Sequence, residues 1–161
     1  MNINDVIFAA IEYDKGDPKR IQHFIKVHSF AMEIIYAENI DCKTAEIIET
    51  AAILHDIGIH KCEQKYGSCS GKYQEIEGVP IAKNILLSLG AENSLIERVC
   101  YLIAHHHTYV NIDSIDWQVL VEADFLVNIY EDNINTAAVK SIIEKFFKTQ
   151  TGKKLAAILY L

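Results

Sequence analysis

Residues Ile48 to His60, IETAAILHDIGIH, set a histidine and an aspartate side by side within an apolar helical run. No other stretch restricts the fold as much. Ile47, Ile48, Ala51, Ala52, Ile53 and Leu54 leave no broad polar face, which for a helix of this length means burial on most sides. A central helix is therefore expected, ending at His55 and Asp56, with Gly58 close enough to loosen or stop its last turn. Successive helical residues point about 100° apart, so His55 and Asp56 can converge on one ion only where the helix ends. An aspartate in apolar surroundings is costly unless it is paired or bound to a metal, and an imidazole supplies a nitrogen that transition metals accept. A helix-end His–Asp hydrogen bond satisfies the dipeptide equally well, so other residues must decide.

The chain around this stretch has the means to bury it. Its 161 residues, half of them hydrophobic, suffice for one domain with a sizeable core. A net charge of −7 argues against nucleic-acid polymers and anionic membranes as partners, since both need clustered Lys and Arg. A small anionic substrate would need local positive charge, from a metal or a few lysines. Cys42, Cys62, Cys69 and Cys100 form no CxxC pair and read as free thiols. The start, MNINDVIFAAIEYDKGD, lacks the basic region of a signal peptide. No run approaches the ~18 apolar residues of a membrane span, and a cytoplasmic location is expected.

Helical spacing recurs along the whole chain. Residues 3–13 pattern as a first helix, and Asp17 with Pro18 starts a second that runs to about Asn39. In that second helix Phe24, His28, Ala31 and Ile35 form a stripe, which turns His28 inward. Residues 61–73 read as a surface loop whose Lys61, Lys65 and Lys72 are either solvated or local phosphate contacts. A helix from near Gln74 to Gly90 follows, and then one opened by a Ser94–Glu97 capping box and reaching His106. Of His105, His106 and His107 at most two can share a pocket. Ser114 begins a helix on which Leu120, Asp124 and Val127 share a stripe, with Asn128 one turn beyond Asp124. Residues 136–161 read as one or two amphipathic helices broken at Gly152. The expectation is an all-α, single-domain bundle of about six to eight helices, with residues 18–130 as its core and helices 135–161 packed on it.

His28, His55, Asp56 and Asp124 thus come from three helices and all point at the core. Burying two carboxylates without compensating charge is very unfavourable, and a divalent cation would supply that charge. Mixed nitrogen and oxygen ligands suit Mn, Fe, Co, Ni or Zn better than Mg.

The segments VHSFAM, AAILHDIGIH, IEGVPIA, IAHHHT and VEADFLVN, in this order and spacing from His28 to Asn128, resemble the HD-domain superfamily of metal-dependent phosphohydrolases. The resemblance implies a helical bundle in which His28, His55, Asp56 and Asp124 hold the metal. Some members hold a second metal, for which His105 and His106 fit the later positions, while Gln74 stands where an earlier histidine would be sought. The acidic pair that follows the His–Asp in the superfamily's alarmone hydrolases is absent from HDIGIH.

These features together imply hydrolysis of a phosphate ester on a nucleotide or similar small metabolite. Asp56 would help accept a proton from water, and His105, His106 and the loop lysines would stabilise phosphoryl charge. Asn128 is a further substrate contact by its place beside Asp124. A non-catalytic nucleotide-binding regulatory module would keep the same metal-holding bundle but release its ligand unchanged. A third reading, an oxygen-dependent di-iron enzyme, needs the second metal. Surface leucines and tyrosines of the tail can pack on the core or on a second copy in a homodimer.

Overall fold

A computed structural model describes all residues, 1–161, and contains nine α-helices and no strand. These are α1 (Ile3–Tyr13), α2 (Pro18–Ala37), α3 (Cys42–Leu54), α4 (Ile59–Tyr66), α5 (Gly71–Ser88), α6 (Asn93–Ile103), α7 (Ile115–Glu131), α8 (Thr136–Phe146) and α9 (Gln150–Tyr160). Several starts follow from local chemistry. Asp17 caps α2 by accepting from Arg20 N, with Pro18 at the first helical position, where its missing N–H costs nothing. The Asp41 carboxylate accepts from Lys43 N and Thr44 N and so opens α3.

α2, α3 and α7 pack on one another at the centre, α6 and α1 close on α3, and α5 closes on α6. One continuous cluster of 29 buried apolar residues runs from Val6 in α1 to Ala156 in α9. Burying each large aliphatic side chain there contributes on the order of 2 kcal/mol.

Three sequence expectations are corrected. Residues 61–73 are mostly helical: α4 is held down by buried Ile59 and Cys62 and closed by Gly67 at φ +61°. That left-handed conformation is open to glycine at no steric cost. α6 begins after Glu92, not at a Ser94 capping box. Gly152 does not break the tail; it lies inside α9, and the chain turns at Phe147 and Thr149 instead. The fully buried Glu122 of α7 explains that turn. Its Oε1 accepts from Lys148 N at 2.6 Å, Thr149 N at 2.9 Å and Gln118 Nε2 at 2.7 Å, which fixes the start of α9 against α7.

Candidate metal centre

α3 stops at Leu54, and His55 to Gly58 form a turn held by Ile57 N donating to Leu54 O and Ile59 N donating to Asp56 O. Gly58 is not left-handed here, at φ −77°. It is required by close approach instead, since a Cβ at this position would lie 2.5 Å from Gly78 N of α5. The turn therefore rests backbone to backbone on α5, with Ile57 buried and the Asp56 carboxylate 23% exposed toward a cavity.

Four side chains converge on that carboxylate's side of the turn. His23 Nε2 lies 3.3 Å from His55 Nε2, 3.3 Å from Asp124 Oδ1 and 3.5 Å from Asp56 Oδ2. His55 Nε2 lies 3.6 Å from Asp56 Oδ2 and 3.5 Å from Asp124 Oδ1. Their outer atoms are tied to pure acceptors. His55 Nδ1 donates to Ala52 O at 2.9 Å, and His23 Nδ1 donates to Glu131 Oε2 at 3.0 Å. These partners assign the neutral tautomers with the proton on Nδ1. Both Nε2 lone pairs then face each other and two carboxylates, an arrangement that needs a cation or additional protons between them. Asn128 Nδ2 donates to Asp124 Oδ1 at 2.8 Å and keeps that oxygen turned inward.

The electrostatics carry the same message. Burial works against charge on His23, yet the hydrogen bond to Asp124 and the Asp56 charge outweigh it and push its pKa up to about 9. His55 is also raised, because Asp56 and Asp124 overcome its burial. Burial pushes Asp56 and Asp124 upward, but the facing imidazoles prevail and hold both well below the usual carboxylate range. In the metal-free chain protons thus do what a cation would do. Donor atoms bound at ~2.1 Å to one transition-metal ion lie ~3.0–3.4 Å apart in octahedral or tetrahedral arrangements, close to the spacings found here. His23, His55, Asp56 and Asp124 therefore fit a divalent metal.

A second group adjoins the first. His106 is buried, its Nδ1 donates to Ile103 O at 2.7 Å, and its Nε2 lies 3.4 Å from Asp56 Oδ1. Neither of these two facing atoms has a hydrogen-bond partner. Asp56, His106 and His107 each bring one ligand atom within 4.8 Å of the others. His107, however, donates from Nε2 to Gln74 Oε1 at 2.8 Å, while Gln74 Nε2 donates to Cys69 O at 3.0 Å. Burial, then the neighbouring His106, push His107 down to about 4 and keep it neutral.

The cavity above the centre has a volume of about 470 Å³, and Lys19, Arg20, His23, Asp56, Asp124 and Asn128 are among its lining residues. His28 is not part of it. Its Nε2 faces Glu49 Oε2 at 3.6 Å, between α2 and α3, because His28 stands about 140° around the helix from His23. The apolar stripe that faces the centre is His23, Val27, Ala31 and Ile34, and histidine at its first position is the signal in the sequence that marks it. His105 is turned away as well, its Nδ1 on Tyr101 O and its ring stacked on Tyr101 at 4.3 Å. The pair near Asp56 is thus His106 and His107, not the His105 and His106 expected from the sequence. Lys61, Lys65 and Lys72 do not line the cavity; Lys65 of α4 is bound to Glu77 Oε1 of α5 at 2.6 Å. Lys19 and Arg20 are the basic residues at the cavity wall.

Residues 20–146 match the family model of the HD domain. They contain His23, His55, Asp56 and Asp124, and the chain belongs to the HD-domain family. No curated protein matches it. Among solved structures, that of a predicted HD superfamily hydrolase from an uncultured Thermotogales bacterium is similar, with 27% identity and a TM-score of 0.69 over 98% of this chain and 84% of that one. No helix is long and apolar enough to cross a membrane.

Proposed function

We propose that this chain is a metal-dependent phosphohydrolase that cleaves a phosphate ester of a nucleotide or a similarly small metabolite. The observation that carries the reading is the inward set of His23, His55, Asp56 and Asp124, whose lone pairs face one another at the floor of an open cavity. A divalent ion held by these four residues would supply Lewis acidity, polarising a phosphoryl oxygen and acidifying water. Its mixed donors favour Mn, Fe, Co, Ni or Zn over Mg.

The remaining work falls to the chain's own side chains. Asp56 is held anionic by its neighbours, so it orients the attacking water by accepting an O–H rather than keeping its proton. His106 Nε2, otherwise unpartnered beside Asp56, is placed to take that proton. Lys19 on the cavity wall offers positive charge to phosphoryl oxygens against an acidic background, while Arg20 beside it is held by Asp17 and Glu63. Asn128 keeps Asp124 oriented. A cavity of about 470 Å³ lies within the range of small-metabolite sites. A second ion at Asp56, His106 and His107 would require His107 Nε2 to leave Gln74.

The test is phosphate release from a panel of nucleotides and simple phosphomonoesters by stripped protein reloaded with manganese, cobalt, nickel or magnesium. Metal-dependent release is expected. Metal bound at the four residues without release from any ester would overturn the catalytic reading and leave a binding module.

A further inference from the structure

Asp14, the C-terminal cap of α1, lies outside the residues that match the HD-domain model, yet its side chain lines the same cavity as His23, Asp56 and Asp124. It is buried, with 4% of its surface exposed. The one basic group beside its carboxylate is His60 of α4, whose Nε2 is 3.6 Å from Oδ1, too far for a hydrogen bond. Arg20 of α2 does not neutralise it, being engaged with Asp17 Oδ2 at 2.9 Å and Glu63 Oε1 at 2.7 Å. His60 also faces Asp17 Oδ2 at 3.6 Å and Glu63 Oε2 at 3.9 Å, and about a third of its side chain is exposed. A buried carboxyl on the cavity wall thus stands beside one partly exposed imidazole.

Ester cleavage leaves a requirement that the metal centre does not meet. The departing oxygen needs a proton, whereas the carboxylates and free nitrogens around Asp56 are acceptors. Burial pushes Asp14 up to about 6; His60 and Arg20 oppose this, and the Asp17 and Asp56 charges assist it. Tyr13, next to it on α1, is raised by its own burial and by the Asp14 charge.

Building on the phosphohydrolase reading above, we propose that Asp14 is the general acid of the reaction, giving its proton to the bridging ester oxygen and regaining one from solvent. The water oxygen forms the new bond to phosphorus, and the old P–O bond breaks with its electron pair passing to the leaving oxygen. That oxygen takes the Asp14 proton, and the proton shed by the water passes to His106. No electron is gained or lost.

The manganese-loaded parent and Asp14→Asn are compared on phenyl phosphate and 4-nitrophenyl phosphate, which differ in the acidity of the leaving group but hardly in shape. A general acid matters most for the poorer leaving group. The variant should lose about 10²-fold or more on phenyl phosphate and no more than a few-fold on the nitrophenyl ester. Equal losses on both, or none, overturn the proposal and leave the phosphohydrolase reading intact. A parent that releases phosphate from neither aryl ester nor any nucleotide of the panel above overturns that reading, and this proposal with it. A readout independent of activity is the carbon-13 titration of the Asp14 carboxyl in the metal-free parent. A midpoint near 6, missing from the Asp14→Asn spectrum, is expected, and a midpoint in the ordinary aspartate range counts against the assignment.

Discussion

Glu131 accepts the Nδ1 proton of His23 at 3.0 Å and so aims the opposite nitrogen at Asp124 and Asp56. Lys26 pairs with the other oxygen of the same carboxylate and keeps it in place. A carboxylate behind a ligating imidazole fixes the ring's tautomer and raises its basicity. Glu131→Gln is expected to weaken manganese binding about tenfold or more by calorimetric titration with the helical content unchanged, and an unaltered affinity would show that packing alone orients His23.

Replacement of single histidines separates the two histidines of α2. His23→Ala removes a donor that faces three others, so metal content and turnover should both fall by at least ~10²-fold. His28→Ala removes only a 3.6 Å contact to Glu49 at a half-buried position. It should keep full metal content by elemental analysis. Loss of metal from the His28 variant with retention in the His23 variant would reverse the assignment.

The metal-free chain should lose stability as the pH rises from about 6.5 to 9. His23 is raised to about 9 in the folded chain, so its extra proton stabilises the fold fully below the unfolded value near 6.5. That contribution disappears as the pH passes through the folded value. His55, also raised, acts with the same sign. The shifts of Asp14 to about 6 and His107 to about 4 act below this window. Thermal melts in chelator should show the fall, and manganese should flatten it, because the ion takes over from the protons and releases them on binding. A melting temperature that is constant over this range in chelator would contradict the proton-filled centre.

Gly58→Ala should damage the site and the fold together. Its methyl group would sit 2.5 Å from Gly78 N and 2.8 Å from Gln74 O, both backbone atoms that cannot swing aside. A cost of about 2 kcal/mol or more is expected in urea denaturation, with weaker metal binding because the His55–Asp56 turn must shift. Wild-type values for both would mean that α5 yields freely.

Gly152→Ala tests the α7–α9 junction apart from the site. The added carbon would lie 1.9 Å from Glu122 Oε2, a buried carboxylate already held by the start of α9. A loss of about 2 kcal/mol is expected, with metal affinity per folded molecule unchanged. A stability within a few tenths of wild type would show that α9 can tilt without penalty.

Much of this architecture was legible along the chain because its causes are local. Asp17–Pro18 opens α2 where capping chemistry places it, α7 starts after Ser114, and the apolar run before His55 is buried. The dipeptide His55–Asp56 at a helix end and Asp124 on an inward stripe are likewise consequences of periodicity. The similarity to the HD-domain superfamily rested on these pieces, and the match over residues 20–146 agrees with it.

Local pattern does not choose among like residues that are adjacent or a few positions apart. His23 and His28 both lie on α2 near apolar stripes, and the sequence pattern alone favoured the one that faces Glu49. His105, His106 and His107 are adjacent, so only the angle at which α6 meets the Asp56 turn decides which two look inward. Asp14 had no signal at all, since its position on the cavity wall depends on how α1 folds back over α3.

The sequence by itself determined most of the helices, the burial of the α3 run and the types of donor that the core must satisfy, because propensity, capping and periodicity act within a few residues. Tertiary structure alone decided which nitrogen faces which oxygen and which basic residues reach the cavity. Those relations join side chains 32 to 108 residues apart, and a rotation of one residue about a helix axis is enough to reverse them.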